Sequence, residues 1–385
     1  MMRGGRAPGR TATGSRARPR VRATADRGRK EGSGGLGNLA YANARVKARR
    51  TKLLPREDLL KMMRMDVHQL TRRLGETIYK RDIDALGTVY SGIDLLERAS
   101  SRNLARNFRD VLRFTKGRAH NLVGDYLRRF DVANIKTVLR GITSGTSFDK
   151  VMENIVPAGE VDEERLRTMA RSRTIVEAVE ALRGTAFYGV LSSELEAQQE
   201  GACDLAALEN ALDKAYLMGL VASVSEGGGI EKVLCSYYRT EVDRVNARTL
   251  LRLRHDGVQP EIINSFVVPG GAELPEASYR RLAYIDGDDA FLAAMKELPM
   301  FKENADLRAY LDGFKVPGGI IKLFLALEKG QLRVAERFGR MYPLSVLPLI
   351  DYIIKMETEV RNIRCIARGR ATGLSEEDIK GITIL

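Results

Sequence analysis

Residue types that commonly carry catalysis or bind metals are few in this sequence. Three Cys and three His lie far apart along the chain: Cys203, Cys235, Cys365, His68, His120 and His255. Ligands so few and so scattered exclude a disulfide scaffold and argue against a zinc or di-metal site. An enzyme that uses Cys235 or Tyr237 as its reactive group is one hypothesis, although a buried helical Cys explains the same pattern. The sequence therefore predicts neither a metal nor a cofactor.

Motifs that bind phosphates or activate nucleophiles are missing or misplaced. Gly32, Gly34 and Gly37 have the spacing of the dinucleotide-binding fingerprint, but no predicted strand precedes them. The sequence has no G-x-x-x-x-G-K-[S/T], H-E-x-x-H, paired C-x-x-C or G-x-S-x-G. We therefore expect a protein without an active site of its own.

The positive charge of the chain is concentrated at its amino-terminal end. The chain has 385 residues, enough for two or three domains, and a formal net charge of +13. Residues 1–38 carry +8 of that charge, are rich in Arg and Gly, and leave +5 on the rest. This composition predicts a disordered basic tail. A nucleic-acid-binding helical repeat protein that uses the tail is a second hypothesis, although the rest shows no base-stacking aromatic pattern.

The spacing of apolar residues after the tail is helical almost throughout. Residues between Ile135 and Ile142, for example, place their apolar side chains on one helical face. Glycines at Gly141 and Gly145, in 227–229 and in 317–319 predict where such helices end. We therefore expect an all-α protein.

No segment of the sequence predicts a transmembrane helix. The most apolar stretch, 341–354, contains two Pro and one Asp. It is also too short, because a membrane span needs about 20 apolar residues. Any membrane association is therefore expected to be peripheral.

One short motif recurs along the chain. An acidic residue stands three positions before an Asn in Asp131 and Asn134, Asp243 and Asn246, and Glu359 and Asn362. The Asn residues are separated by 112 and 116 residues, and a partial copy at Asn43 lacks the acidic residue. We expect these side chains to pack against a neighbouring helix or to cap a helix start. The period predicts three copies of one helical unit.

Other landmarks keep the same period. A Leu-Glu pair precedes each acidic residue of the motif at a similar distance, ending at Glu97, Glu209 and Glu328. Val-Pro pairs at 156–157 and 268–269 repeat at the shorter of the two Asn intervals, and Leu-Pro at 54–55 is interpreted as their looser match. The repeats predict a tail at 1–38 and helical units at 39–130, 131–242 and 243–385, the last with a closing carboxy-terminal helix.

Basic residues form a stripe along each Asn helix. They occupy the second and sixth positions after the Asn: Arg45, Arg49, Lys136, Arg140, Arg248, Arg252, Arg364 and Arg368. A spacing of four places both members on one helical face. A solvated or salt-bridged face is the ordinary interpretation. Three related units would also arrange the stripes around a common axis, so a basic socket for an acidic protein shaft is the alternative.

Three segments resemble the C subunit of archaeal-type rotary ATP synthases, the counterpart of the d subunit of vacuolar proton pumps. Residues 38–49 (NLAYANARVKAR) resemble its opening helix, 126–136 (YLRRFDVANIK) its central motif and 357–369 (ETEVRNIRCIARG) its carboxy-terminal helix. The likeness extends over about 39–385 and leaves the basic tail outside.

The resemblance implies a funnel of three similar helical domains around a pseudo-threefold axis. It implies a non-catalytic rotor subunit, whose wide mouth receives the D and F subunits of the central stalk. The other face would lie on the cytoplasmic end of the membrane proteolipid ring, so that torque passes between ion translocation and ATP synthesis or hydrolysis. Under this hypothesis the eight basic residues line or support the stalk socket. Loops 141–147, 224–230 and 315–320 are then candidates for ring contacts.

Overall fold

The computed structural model of the chain describes residues 35–198 and 204–385. This described part contains helices and connecting segments without a strand, which confirms the all-α prediction. The helices are α1 (Gly35–Arg50), α2 (Arg56–Met62), α3 (Val67–Leu74), α4 (Lys80–Leu86), α5 (Gly92–Phe114), α6 (Gly117–Thr143), α7 (Phe148–Glu153), α8 (Glu163–Ala170), α9 (Ile175–Glu180), α10 (Ala186–Ala197), α11 (Leu205–Ser225), α12 (Ile230–His255), α13 (Pro260–Ser265), α14 (Glu276–Ala283), α15 (Asp288–Lys296), α16 (Pro299–Lys302), α17 (Ala305–Asp312), α18 (Gly319–Met341), α19 (Leu347–Ala371) and α20 (Glu376–Ile382).

Most of the predicted tail lies outside the described residues, as do Gly32 and Gly34 of the glycine pattern and Cys203. Helix α1 begins at Gly35, so the last residues of the predicted tail are helical. The predicted boundary at 38 stays a prediction.

In the described part, six long helices follow one another as three pairs with short connections, here called hairpins. The connections 115–116, 226–229 and 342–346 join α5 to α6, α11 to α12 and α18 to α19. Between hairpins, α6 packs against α11, α12 against α18, and α19 against α5. Because α19 packs against α5, the last of the long helices lies beside the first one.

Short helices fill the intervals between the paired long helices. Local capping explains several of their starts: Asp66 and Gln69 form a reciprocal capping box at α3, and Asp162 caps α8. Of the two glycines predicted to end this helix, Gly145 follows shortly after the last residue of α6, Thr143, and has a positive φ, whereas Gly141 lies inside α6. Gly141 is instead a packing position, since a Cβ there would overlap the side chain of Val151.

The apolar core of the described residues is divided in the same way as the long helices. One cluster lies between α6 and α11, and another between α12 and α18. A third and larger cluster combines α1–α5 with α19 and with the hairpin ends of α6, α11, α12 and α18. The amino- and carboxy-terminal parts thus share one core, whereas the predicted division at 130 and 242 stays a prediction.

Candidate functional site

The repeated Asn residues hold distant segments of backbone in place. Each side-chain amide donates to a backbone carbonyl 22 residues further along the chain and accepts from the N–H of the same residue. These reciprocal pairs are Asn134 with Val156, Asn246 with Val268, and Asn362 with Ile384, with N–O distances of 2.6–2.9 Å. All three Asn side chains are buried. Their function is therefore to clamp a loop against a long helix.

The acidic residue of the motif orders the next part of that loop. Asp131 accepts from the N–H of Glu160 at 2.7 Å and of Val161 at 3.0 Å. Asp243 accepts from three successive N–H groups, ending with that of Leu274 at 2.9 Å. Burial raises the pKa of Asp131 to about 7, although its backbone hydrogen bonds act in the opposite direction.

Two glycines belong to the same motif and were missed in the sequence. A Cβ at Gly159 would overlap the carboxylate of Asp131, and a Cβ at Gly271 would overlap that of Asp243. Both glycines follow the Val-Pro pairs and share their period, so the signal was present. Only the structure gives the reason, which is the close approach of a carboxylate to the backbone.

Glu359 makes the equivalent junction with the other end of the chain. Its carboxylate accepts from the backbone N–H of Leu54 at 2.5 Å and from the hydroxyl of Tyr79 at 2.7 Å. Burial raises the pKa of Glu359 to about 7. Leu54 therefore corresponds to Val161 and Leu274, each of which donates to an acidic residue just before a short helix. The match of Leu54-Pro55 to the Val-Pro pairs was wrong.

The partial copy at Asn43 has a different role. Its amide donates to the carbonyls of Pro343 at 2.9 Å and Ser345 at 3.0 Å, in the connection between α18 and α19. Helix α1 is thereby fixed across a hairpin rather than to a loop of its own. The missing acidic residue is consistent with that difference.

The basic stripes are largely neutralised within the chain. In the three full copies, the glutamates of the Leu-Glu pairs supply most of the partners. The ion pairs are Lys136–Asp213, Arg140–Glu209, Arg248–Glu328, Arg368–Glu97 and the partial copy's Arg49–Asp110, whereas Arg252 is 3.7 Å from Asp256 and Arg364 donates to Ser101. The structure thus places six of the eight residues beside an internal carboxylate, while Arg45 and Arg364 donate to hydroxyl groups.

Arg45 and Arg252 retain the most available charge of the eight. Arg45 forms no ion pair with a described residue, donates to Tyr41 at 2.7 Å, and lies 5.1 Å from the ring centroid of Phe114. The side chain of Arg252 is 70% exposed. By contrast, burial lowers the pKa of Arg364. Its guanidinium lies inside the closing junction, as we call the junction at Glu359.

A buried polar network joins the three Asn helices. Arg129 lies 3.4 Å from Glu357 and donates to the hydroxyl of Tyr126 at 2.6 Å. That hydroxyl donates to Glu241 at 3.0 Å. Arg129, Glu241 and Glu357 each stand five residues before their Asn, so equivalent positions of α6, α12 and α19 converge. Because these three residues are not of one type, the sequence repeat did not reveal that they lie together.

The two residues considered as reactive groups have structural surroundings. Tyr237 is buried and donates to Glu241 at 2.9 Å, and burial raises its pKa well above the ordinary value. Cys235 is half-buried against the large core cluster. The described residues contain no group of three His, Cys, Asp or Glu side chains placed to hold a metal. Among the helices of 35–198 and 204–385, none is long and apolar enough to cross a bilayer.

Comparison with known proteins gives this architecture a family. The family model described as ATP synthase (C/AC39) subunit matches residues 42–382. The C subunit of the A-type ATP synthase of Methanococcoides burtonii is 32% identical over 92% of this chain and 96% of the relative. The proteins of the same name from Haloquadratum walsbyi and Haloferax volcanii are 37% and 33% identical, over 89% and 91% of this chain and 97% and 99% of theirs. A match over residues 42–382, with relatives more than 30% identical over about nine tenths of the chain, shows that the chain belongs to the ATP synthase (C/AC39) subunit family.

Proposed function

We propose that this protein is a non-catalytic rotor subunit of an A/V-type ATP synthase. It joins the D and F subunits of the central stalk to the proteolipid ring, at the cytoplasmic face of the membrane and without a span of its own. In this role it transmits torque between ion translocation and ATP synthesis or hydrolysis. The proposal rests on the family, whose relatives are named as the C subunit of the A-type ATP synthase.

The recurring junctions are the structural observation that supports a coupling role. Three junctions of one design fix connecting segments to the long helices, and the one at Glu359 joins segments from the two ends of the described part. Buried side chains packed at high density transmit displacement because the interior has little free volume. A mechanical connector needs such stiffness and no nucleophile.

The ion pairs reduce the number of basic residues that we propose as direct contacts in the stalk socket. Residues that are already paired offer little free charge to an acidic shaft. Arg45 and Arg252 are therefore the members of the basic stripes that we propose as direct socket contacts. The other six support the socket by holding their helices together.

The positions of the helix ends reduce the number of candidate loops for contact with the proteolipid ring. Arg118, at the start of α6, pairs with Glu231 at 2.5 Å, so the start of α6 lies beside loop 226–229. Loop 141–147 follows the opposite end of α6, at about 1.5 Å of rise per residue. Loops 141–147 and 224–230 therefore do not share one face. We retain 141–147 and 315–320 as the proposed ring contacts.

A two-partner binding experiment tests the function. The purified full chain is presented separately with a D–F stalk and with the detergent-solubilised proteolipid ring. Binding to both supports the coupling role, and binding to neither contradicts it. If Arg45→Glu combined with Arg252→Glu leaves D–F affinity unchanged, the socket assignment is wrong while the coupling role stands.

A further inference from the structure

A basic groove runs over α1, α4 and α5 on the surface of the described residues. Four arginines of α5 follow the helical repeat, and residues of α1 and its carboxy-terminal turn face them. The groove is defined by Arg45, Arg49, Lys52, Arg81, Arg102, Arg106, Arg109 and Arg113. Together they contrast with a net charge of only +5 on residues 39–385.

The groove consists of neighbouring cavities that share arginines. A cavity of about 420 Å³ between α1 and α5 shares Arg81 and Arg106 with one of about 210 Å³. The smaller cavity shares Arg102 and Arg109 with a third, of about 470 Å³, that reaches Arg167 on α8. A partner lying here would contact several arginines along its length.

Internal carboxylates neutralise only part of this charge. Asp82 pairs with Arg106 at 2.7 Å and lies 3.7 Å from Arg102, and Asp110 pairs with Arg49 at 2.9 Å and with Arg113 at 3.1 Å. Two carboxylates therefore serve four of the eight basic residues. Lys52, Arg81 and Arg109 form no ion pair with any residue of the described ranges. Since like charges held together repel, a surface of this kind gains from an anionic partner.

We propose that this groove docks an acidic α-helix of another subunit of the same complex. The proposal rests on the proposed function, because that function supplies the neighbouring subunits. Arginines at positions i, i+4, i+7 and i+11 of α5 extend over about 16 Å of helix. A helix lying alongside, with Glu or Asp at the same spacing, presents one carboxylate to each arginine.

The groove suits a helix better than nucleic acid or a membrane surface. Single-stranded nucleic acid stacks its bases on open aromatic faces. Here Arg45 lies over Tyr41 and Phe114, and Arg98 covers Tyr90 with a centroid distance of 4.2 Å. A lipid headgroup layer is flat, whereas the basic residues here line cavities between helices.

The test uses the full chain, a groove variant and a matched control variant. The groove variant carries Lys52→Glu, Arg81→Glu and Arg109→Glu. The control carries Lys322→Glu, Arg281→Glu and Arg308→Glu, which are also exposed and form no ion pair with a described residue. Both variants change the net charge equally, so a difference between them reports position. Circular dichroism establishes that each is folded.

Each protein is titrated with the individual purified soluble subunits of the complex. A labelled helical peptide with Glu at i, i+4, i+7 and i+11 is tested beside one with the same Glu residues spread around the helix. We expect at least one subunit, and the striped peptide, to bind the wild type and the control. The groove variant should bind both about tenfold or more weakly, and salt should weaken the wild type.

The other outcomes separate the two proposals. If every subunit binds the groove variant as tightly as the wild type, the groove assignment is wrong and the coupling function stands. If no subunit binds the wild type, the coupling function fails and the inference with it. If only vesicles of phosphatidylcholine with phosphatidylglycerol, or a uridine oligonucleotide, bind in a groove-dependent way, the assignment of an acidic helix is overturned.

Discussion

The junctions at Asp243 and Glu359 use one motif over very different chain separations. Asp243 binds backbone N–H groups 29–31 residues ahead of it, whereas Glu359 binds Leu54, 305 residues away. In both, a buried carboxylate on a long helix fixes the segment just before a short helix. The junction at Asp243 is local, because it forms with the loop that follows its own helix. The junction at Glu359 is the closing junction, because it requires both ends of the chain.

The difference teaches how the last copy of the motif is completed. In this copy Ile384 forms the reciprocal pair with Asn362. The donor to the acidic residue is Leu54, from the amino-terminal part of the described residues. The longer Glu side chain also reaches the hydroxyl of Tyr79, which has no counterpart among the backbone donors to Asp243. The closing junction thus joins amino- and carboxy-terminal segments that lie far apart along the chain.

The strongest way to break a local junction is to fill the space beside its carboxylate. Gly271→Ala places a Cβ against Asp243 and 2.8 Å from the carbonyl oxygen of Leu274, so the buried carboxylate must move from its donors. We expect a loss of about 4 kcal/mol in the free energy of unfolding, measured by urea denaturation. Gly228→Ala, which meets open space, is the matched control. Equal stability of the two variants would contradict the role given to Gly271.

The closing junction is expected to depend on pH. A folded-state pKa of about 7 for Glu359 lies above its unfolded value of about 4.3, so the folded state retains a proton that the unfolded state loses. Stability from this group is therefore full below about pH 4 and falls as pH rises through 7. Glu359→Gln removes this loss and should gain up to about 3 kcal/mol relative to wild type between pH 4 and 8.

Urea denaturation of wild type and Glu359→Gln across that pH range measures the difference. Parallel pH profiles would show that the carboxyl of Glu359 is not protonated in the folded protein. The pKa of Asp131 is also about 7, so Asp131→Asn should change the pH dependence of stability in the same direction. That second variant tells whether a local junction and the closing junction share this behaviour.

The Asn clamp should matter more in a full copy than in the partial copy. Asn246→Ala leaves the buried N–H and carbonyl of Val268 without partners, and we expect a loss of about 2 kcal/mol in stability. Asn43→Ala removes two bonds from a half-buried amide and should cost about 1 kcal/mol. Thermal unfolding of both variants measures the ranking. A larger effect at Asn43 would reverse the roles assigned to the two copies.

The ion pairs beside the junctions should contribute least. Arg140–Glu209 is local and Arg368–Glu97 is part of the closure, but both arginines are more than half exposed. Double-mutant cycles with alanine at each pair should give coupling energies of about 0.5–1 kcal/mol, decreasing with salt. A coupling of several kcal/mol at Arg368 alone would mean that the closing junction depends on charge rather than on its buried carboxylate.

Much of the fold followed from local patterns. Helical periodicity is read within one or two turns, so the all-α class was predictable, and the positions of Asn134, Asn246 and Asn362 marked real clamps. Gly141 was mistaken for a helix end, because a glycine that admits Val151 looks the same in sequence as one that ends a helix. The match of Leu54-Pro55 to the Val-Pro pairs was also wrong, because the position to which Leu54 corresponds is set by its bond to Glu359 at the far end of the chain.

The sequence by itself determined the helical class, the period of the motif and the family, because each is written in residues close together or in regular recurrence. Tertiary structure decided which charges remain free and how the copies are joined. Arg140 and Arg252 hold the same position after their Asn, yet Arg140 pairs with Glu209 on another helix, whereas Arg252 lies 3.7 Å from Asp256 at the end of its own helix. Such differences arise from contacts between helices far apart along the chain, and no local pattern contains them.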